Sequence, residues 1–194
     1  MPHDVTKMKR EMERLYPIGI QNFEDLRRNG YIYVDKTALI HRLVRTGKYY
    51  FLGRPRRFGK SLMISTLEAY FQGKRELFKG LDIEKLEKEW TVRPVLHIDL
   101  NGQEYKSRQD LEDMLNSYLA KWEKMYGCET SETSASLRFS AIIRNAAKQT
   151  GQNVAILIDE YDKPLIQAIG NEKLQDEYRN TLKAFYGNLK SCDG

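Results

Sequence analysis

The stretch "YYFLGRPRRFGKSLMISTL", residues 49–67, gathers Arg54, Arg56, Arg57 and Lys60 just ahead of an apolar run with helical spacing. Four like charges at a helix N-terminus repel one another and the positive end of the helix dipole, so the cluster calls for an anion among them. "YYFLG" (49–53), ended by Gly and Pro, reads as a buried strand. After Gly59, the positions Leu62, Met63, Thr66, Leu67, Tyr70 and Phe71 follow a helical period, which Gly73 stops. Strand, loop, "FGKS" and helix in succession form a phosphate cradle: the glycine admits close approach, successive amides point inward, and the helix dipole adds to them. In that reading Arg54, Pro55, Arg56, Arg57, Phe58, Gly59, Lys60, Ser61 and Leu62 wrap the nucleotide. Lys60 reaches the β- and γ-phosphates, and the Ser61 hydroxyl ligates Mg²⁺. The strict spacing G-x-x-x-x-G-K-[ST] is not met, because Arg54 holds the first glycine position and Gly53 lies one residue too early. A bare Gly-Lys-Ser also begins ordinary helices. The preceding apolar run and the absence of any acid from "RPRRFGK" favour a triphosphate, with its roughly four negative charges.

"NVAILIDEYD" is the most apolar strand of the chain and closes in acids. In open α/β sheets ligands sit at the C-terminal ends of the strands, where Asp159 and Glu160 fall. Asp159 can hold Mg²⁺ directly or through water, and Glu160 can orient and deprotonate an attacking water. Loops are polar anyway, so the acid pair gains its meaning from the cation-rich loop earlier in the chain. "VLHIDL" (95–100) supplies a further strand, such as generally accompanies a catalytic Glu beside a Mg²⁺-binding Asp. His97 and Asp99 alternate on one of its faces, with a contact to the attacking water as the minority reading.

The chain has 194 residues, 30% charged and 41% hydrophobic, with a net charge of +5. This is the composition of a folded globular protein rather than a disordered one. The basic excess admits anionic partners without requiring nucleic acid. No apolar run approaches the roughly 20 residues of a membrane span, and the N-terminus lacks a signal-peptide core, so a cytoplasmic protein is expected. Cys128 and Cys192 read as free thiols in a reducing compartment, with a disulfide left open. His3 and His41 have no metal-ligand spacing. Residues 1–47 form a helical lead-in, with a charged helix at 8–15, and 48–194 form the core. Asp35 caps a helix bearing Leu39, Ile40, Leu43 and Val44; the alternative for Asp35 and Thr37 is a contact to adenine or ribose. Further helices carry Leu111 to Trp122 and Leu137 to Ala147, with a polar loop at 127–136 before the second. Asp162 reads as the N-cap and Pro164 as the first turn of the next helix. A last helix bears Leu174, Tyr178, Leu182, Phe185 and Leu189. Alternating strands and helices predict an α/β layered sheet of mainly parallel strands flanked by helices.

Residues 16–83, from "YPIGIQNFEDL" to "LFKGLDI", resemble the N-terminal part of the predicted AAA-ATPase-like family. "VAILIDEYDKPL" resembles its Walker B segment, and "LKAFYGNLK" the helix that follows. An Arg in place of the first loop glycine is usual in that family. The resemblance implies a P-loop NTPase fold, and ATP and Mg²⁺ as cofactors. It puts Lys60 and Ser61 at the phosphates and metal, and Asp159 and Glu160 as the Walker B acids. A homo-oligomer, or a fused or associated nuclease-like domain, is the implied partner. The resemblance also implies a further sensor-bearing strand after "NLKSCDG". A chain that stops there is expected to lack a central strand and to hydrolyse ATP poorly even where binding persists. Three functions therefore compete: an ATPase, a nucleotide-dependent protein-interaction module that does not hydrolyse, and a nucleic-acid binder. The last ranks lowest, because the densest cation cluster lies in the loop rather than along a helix face.

Overall fold

Capping hydrogen bonds set where the helices of the N-terminal part begin. In the computed structural model, which describes residues 15–53, 55, 57–127, 134–187 and 189, helix α1 (Phe23–Arg28) starts where the Asn22 side chain accepts the Asp25 amide. Helix α2 (Thr37–Thr46) starts where Asp35 Oδ1 accepts the amide and hydroxyl of Thr37 at 2.8 and 2.7 Å. The same two side chains also start α4 (Asp82–Leu86). Asp35 Oδ2 accepts the Asp82 amide at 2.7 Å, and Thr37 Oγ1 accepts the Ile83 amide at 3.1 Å. The expected role of Asp35 at this helix start is therefore met from one residue earlier, since Lys36 holds the N-cap position, and the same carboxylate serves a second helix. Burial alone would raise the Asp35 carboxyl, but the Thr37 hydroxyl, the Asp82 and Thr37 amides and the charge of Arg27 hold it below its ordinary value.

Between them lies α3 (Lys60–Phe71), which ends at Gly73 (φ 68°) with the Lys74 amide returning to the Ala69 carbonyl. A short 3₁₀ turn (Arg75–Phe78) precedes α4. Phe23, Phe78 and Ile83 are fully buried here, and Phe78 packs against Phe23 and Trp90 with ring centroids 4.9 and 5.2 Å apart. The chain divides into two compact units, residues 1–91 and 92–194.

The buried strand expected at 49–53 does not form. Tyr49, Tyr50 and Phe51 lie in irregular backbone and are 57%, 52% and 74% exposed. A strand needs a ladder partner, and among the described residues of this unit there is no strand to provide one. The segment instead folds onto the end of α2, where the Tyr50 hydroxyl donates to the Leu43 carbonyl at 2.6 Å.

In the second unit, β1 (Val95–Asp99) and β2 (Ala155–Asp159) pair in parallel, with Val95 opposite Ala155 and Asp99 opposite Asp159. Alternation then places Leu96, Ile98, Ile156 and Ile158 on one face. That face packs on a core built from α5 (Arg108–Met125), α6 (Ala135–Thr150) and α8 (Glu172–Gly187). The predicted stripe of Leu111, Leu115, Leu119 and Trp122 is buried, as are Tyr178, Leu182 and Phe185. Trp122, Phe139 and Phe185 stack in sequence at centroid spacings of 5.8 and 4.8 Å. Helix α6 begins at Ala135, so the end of the predicted polar loop is helical. Helix α7 (Lys163–Gln167) carries Pro164 in its first turn and Asp162 at the cap position, although the Asp162 side chain makes no capping bond. The described residues thus form a mixed α/β structure, a two-stranded parallel sheet with helices packed against it. Among them, no helix is long and apolar enough to cross a membrane. The readings on residues 8–14, His3, Cys128, Cys192 and the middle of the polar loop fall outside the described residues.

Glu87, only 4% exposed, is a polar hub of the first unit that the sequence did not signal. It accepts the Tyr70 hydroxyl at 2.5 Å and the Lys88 and Glu89 amides at 2.9 and 3.0 Å, with Arg45 at 3.3 Å and His41 Nε2 at 3.9 Å. Burial pushes its pKa up, yet the Tyr70 and Glu89 bonds, the Arg45 charge and the Lys88 amide bring it from 4.5 down to about 2. A pKa depressed in the folded state contributes stability above the unfolded value and loses it as pH falls through the folded one. The contribution is about 3 kcal/mol at neutral pH. Glu87→Gln should lower the urea midpoint at pH 7 and flatten the acid loss between about pH 4.5 and 2. Superimposable pH profiles for the two proteins would contradict this assignment.

Candidate functional site

The residues singled out in the sequence fall in two clusters, one in each unit. In the first, the chain turns twice through the left-handed region before α3, at Arg57 (φ 65°) and Gly59 (φ 73°). A backbone that alternates hand in this way turns successive amides toward one side, the geometry that receives anions. Gly59 holds the N-cap position without a side-chain capping bond, and its carbonyl accepts the Met63 amide at 3.0 Å. Lys60 is the first helical residue and Ser61 the second, both half-buried, as is Leu62. Pro55, Arg57 and Phe58 are exposed, Phe58 by 63%. Arg54 and Arg56 lie outside the described residues.

Helix α3 is anchored by Ser65. Its hydroxyl accepts the Phe23 amide at 2.9 Å and faces the Gln21 carbonyl at 3.1 Å, so the start of α1 is held against α3. Because the partner lies 42 residues away, no local pattern signals this role.

In the second unit, β2 ends at Asp159, which is 7% exposed. Asp159 Oδ1 accepts the Glu160 amide at 3.0 Å, and the chain then takes the left-handed conformation at Glu160 (φ 51°). A residue with a Cβ is held there at a cost of about 1–2 kcal/mol, so the fold places the Glu160 side chain by strain rather than by preference. Parallel register puts Asp99 beside Asp159 on the sheet face that also carries His97. Asp99 Oδ1 accepts the Asn101 amide at 2.8 Å, and its main chain bonds the Tyr118 hydroxyl at 3.0 Å. Sequence reasoning placed His97 and Asp99 on one face. It missed that Asp159 shares it, because register is a property of the pairing and not of either segment.

Taken separately, Ser61 offers a hydroxyl in the first turn of α3, and Asp159 offers a carboxylate at the end of β2; both are oxygen donors of the kind Mg²⁺ accepts alongside water and phosphate. Among the described residues, no group of three or more His, Cys, Asp and Glu side chains is gathered as an all-protein metal cage would require. A groove of about 620 Å³ in the second unit, lined by Arg108, Glu112, Asn116, Glu177, Asn180 and Phe185 among others, includes no residue of either cluster.

The family described as AAA-ATPase-like, predicted AAA-ATPase, matches residues 17–194. An uncharacterized protein in the vnfD 5′ region of Azotobacter chroococcum mcd 1 is 38% identical over 179 residues, covering 91% of this chain and 34% of that protein. The chain thus spans about a third of the length of that curated relative. No solved structure matches.

The backbone strain at Glu160 has a direct consequence. Glu160→Gly should be more stable than Glu160→Ala by about 1 kcal/mol, although glycine is ordinarily the costlier of the two in a fold. Equal urea midpoints for the pair would show that the left-handed conformation is absent in solution.

Proposed function

Because the chain belongs to the predicted AAA-ATPase family, we infer that it is an ATP-binding P-loop domain that binds Mg²⁺-ATP and is built for its hydrolysis. The observation that carries this reading is the left-handed turn at Arg57 and Gly59 running into α3, with glycine at the N-cap and Lys60 as the first helical residue. That backbone offers amides and a helix dipole to an anion, and Lys60 adds a full positive charge to the β- and γ-phosphates. Arg54, Pro55, Arg56, Arg57, Phe58 and Leu62 complete the wrap around the nucleotide.

Ser61 and Asp159 are the residues assigned to the metal, which when bound neutralises charge on the β- and γ-phosphates. Glu160 is the general base: its carboxylate accepts a proton from the attacking water and orients it toward the γ-phosphorus. Its left-handed backbone supports that role, since strain of this kind is retained where surrounding structure and chemistry demand it. Asp159, nine-tenths buried, has one oxygen engaged by the Glu160 amide, so the metal-binding and base residues are oriented by each other. The P-loop sheet, the assembly of several copies and the association with a nuclease-like domain belong to this reading. So does a location in the cytoplasm, where ATP is abundant.

Lys60→Ala should weaken Mg²⁺-ATP binding by tenfold or more, because it removes a cation from the phosphates. Asp159→Asn combined with Glu160→Gln should leave nucleotide affinity within a few-fold and lower kcat by roughly a hundredfold or more. Calorimetry and a phosphate-release assay read the two effects separately. Turnover persisting in the double variant would refute the assigned roles. Wild-type binding without turnover would instead favour the nucleotide-dependent interaction module.

A further inference from the structure

Lys163 lies in the "DEYDKP" segment, but the chemistry above gives it no task. Its surroundings supply one. The Lys163 amide donates to the Glu160 carbonyl at 3.0 Å, closing the turn in which Glu160 is left-handed. Its ammonium reaches across to the turn after β1, donating to the Asn101 carbonyl at 3.0 Å and to Asn101 Oδ1 at 2.5 Å. Asn101 in turn donates its amide to Asp99 Oδ1 at 2.8 Å, and the neighbouring Leu100 amide donates to the Asp159 carbonyl at 3.2 Å. With the Glu160 amide on Asp159 Oδ1, the bonds form a closed ring around the C-terminal ends of both strands.

The ring is braced from outside. The buried Tyr105 hydroxyl donates to the Leu100 carbonyl at 2.8 Å, and the Tyr105 amide donates to Gln167 Oε1 at 2.8 Å. Burial, reinforced by neighbouring Tyr118, Asp99 and Tyr178, pushes the Tyr105 hydroxyl up, so it stays a donor. A left-handed non-glycine residue persists only where its surroundings over-determine it. Here the surroundings include one ammonium, which spans 62 residues of sequence to fasten the first turn to the second, beside the Leu100 amide on the Asp159 carbonyl.

We propose that Lys163 and Asn101 are positioning residues for hydrolysis: their clamp between the two strand ends holds Glu160 in its left-handed conformation and so aims its carboxylate at the attacking water. The proposal rests on the reading of Glu160 as general base. In this role Lys163 acts on the turn through Asn101, so its loss changes where Glu160 points rather than how tightly ATP is held.

The test uses the whole chain. Lys163→Met keeps the aliphatic stem and removes the ammonium, Lys163→Arg restores a donor, and Asn101→Ala removes one acceptor. Lys163→Met should lower kcat by roughly tenfold to a hundredfold with KM and Mg²⁺-ATP affinity within about twofold. Asn101→Ala should do the same more weakly, and Lys163→Arg should recover most of the rate. Independently of turnover, amide hydrogen exchange at Lys163, whose N–H closes the Glu160 turn, should accelerate in Lys163→Met and return toward wild type in Lys163→Arg. An unchanged exchange rate at that amide, or an unchanged kcat in an active wild-type background, would overturn the positioning role. If the wild-type chain binds no Mg²⁺-ATP, the nucleotide reading fails instead, and the exchange comparison still decides whether Lys163 holds the turn.

Discussion

The parallel pairing of β1 with β2 is the constraint on which the second unit depends. Each strand is only five residues long. Yet their register alone decides that four aliphatic side chains face the aromatic stack of α5, α6 and α8, while His97, Asp99 and Asp159 share the opposite face. A slip of one residue would turn Ile156 and Ile158 away from that core and take Asp159 out of line with Asp99 and His97. Hydrophobic packing on one face therefore fixes the chemistry on the other. The same pairing ends both strands at one level, which is why a single lysine can bridge the two turns that follow.

The first unit uses a different economy. Its helices are short, and their starts are specified by side chains that serve more than one element. Asp35 and Thr37 begin both α2 and α4, Ser65 ties α3 to the start of α1, and Glu87 collects a tyrosine, an arginine and two amides. Against this background the start of α3 stands apart. Its N-cap is a left-handed glycine, which has no side chain to cap it, and cations precede it in the sequence. On the proposed reading, that helix start is a place for an anion.

Much of this was legible because it is local. The stripe of Leu111, Leu115, Leu119 and Trp122 declares a helix with one buried face, and the five apolar residues before Asp159 declare a buried strand. Asp35, two residues ahead of a periodic run, declares a cap. What the sequence concealed is what depends on distant partners. Residues 49–53 are apolar enough for a strand, but composition records an appetite for burial and not the neighbour that would satisfy it. Helix α4 sits in a stretch that reads only as mixed charge, because its capping groups come from 46 and 47 residues earlier. Glu160 has no residue-level mark of its backbone hand; glutamate is a poor choice for that conformation, and only the ring of hydrogen bonds around it explains why it is adopted.

The central claim is that the turn at Arg57–Gly59 and the N-terminus of α3 form a polyphosphate cradle with Lys60 at its mouth. Calorimetric titration of the chain with AMP, ADP and ATP in excess magnesium tests it most directly. A cradle made of amides, a dipole and one ammonium predicts affinity that tightens with each added phosphate, by roughly tenfold or more from AMP to ATP, or at least about 1.4 kcal/mol. Equal affinities across the series, or no heat with ATP, would contradict it.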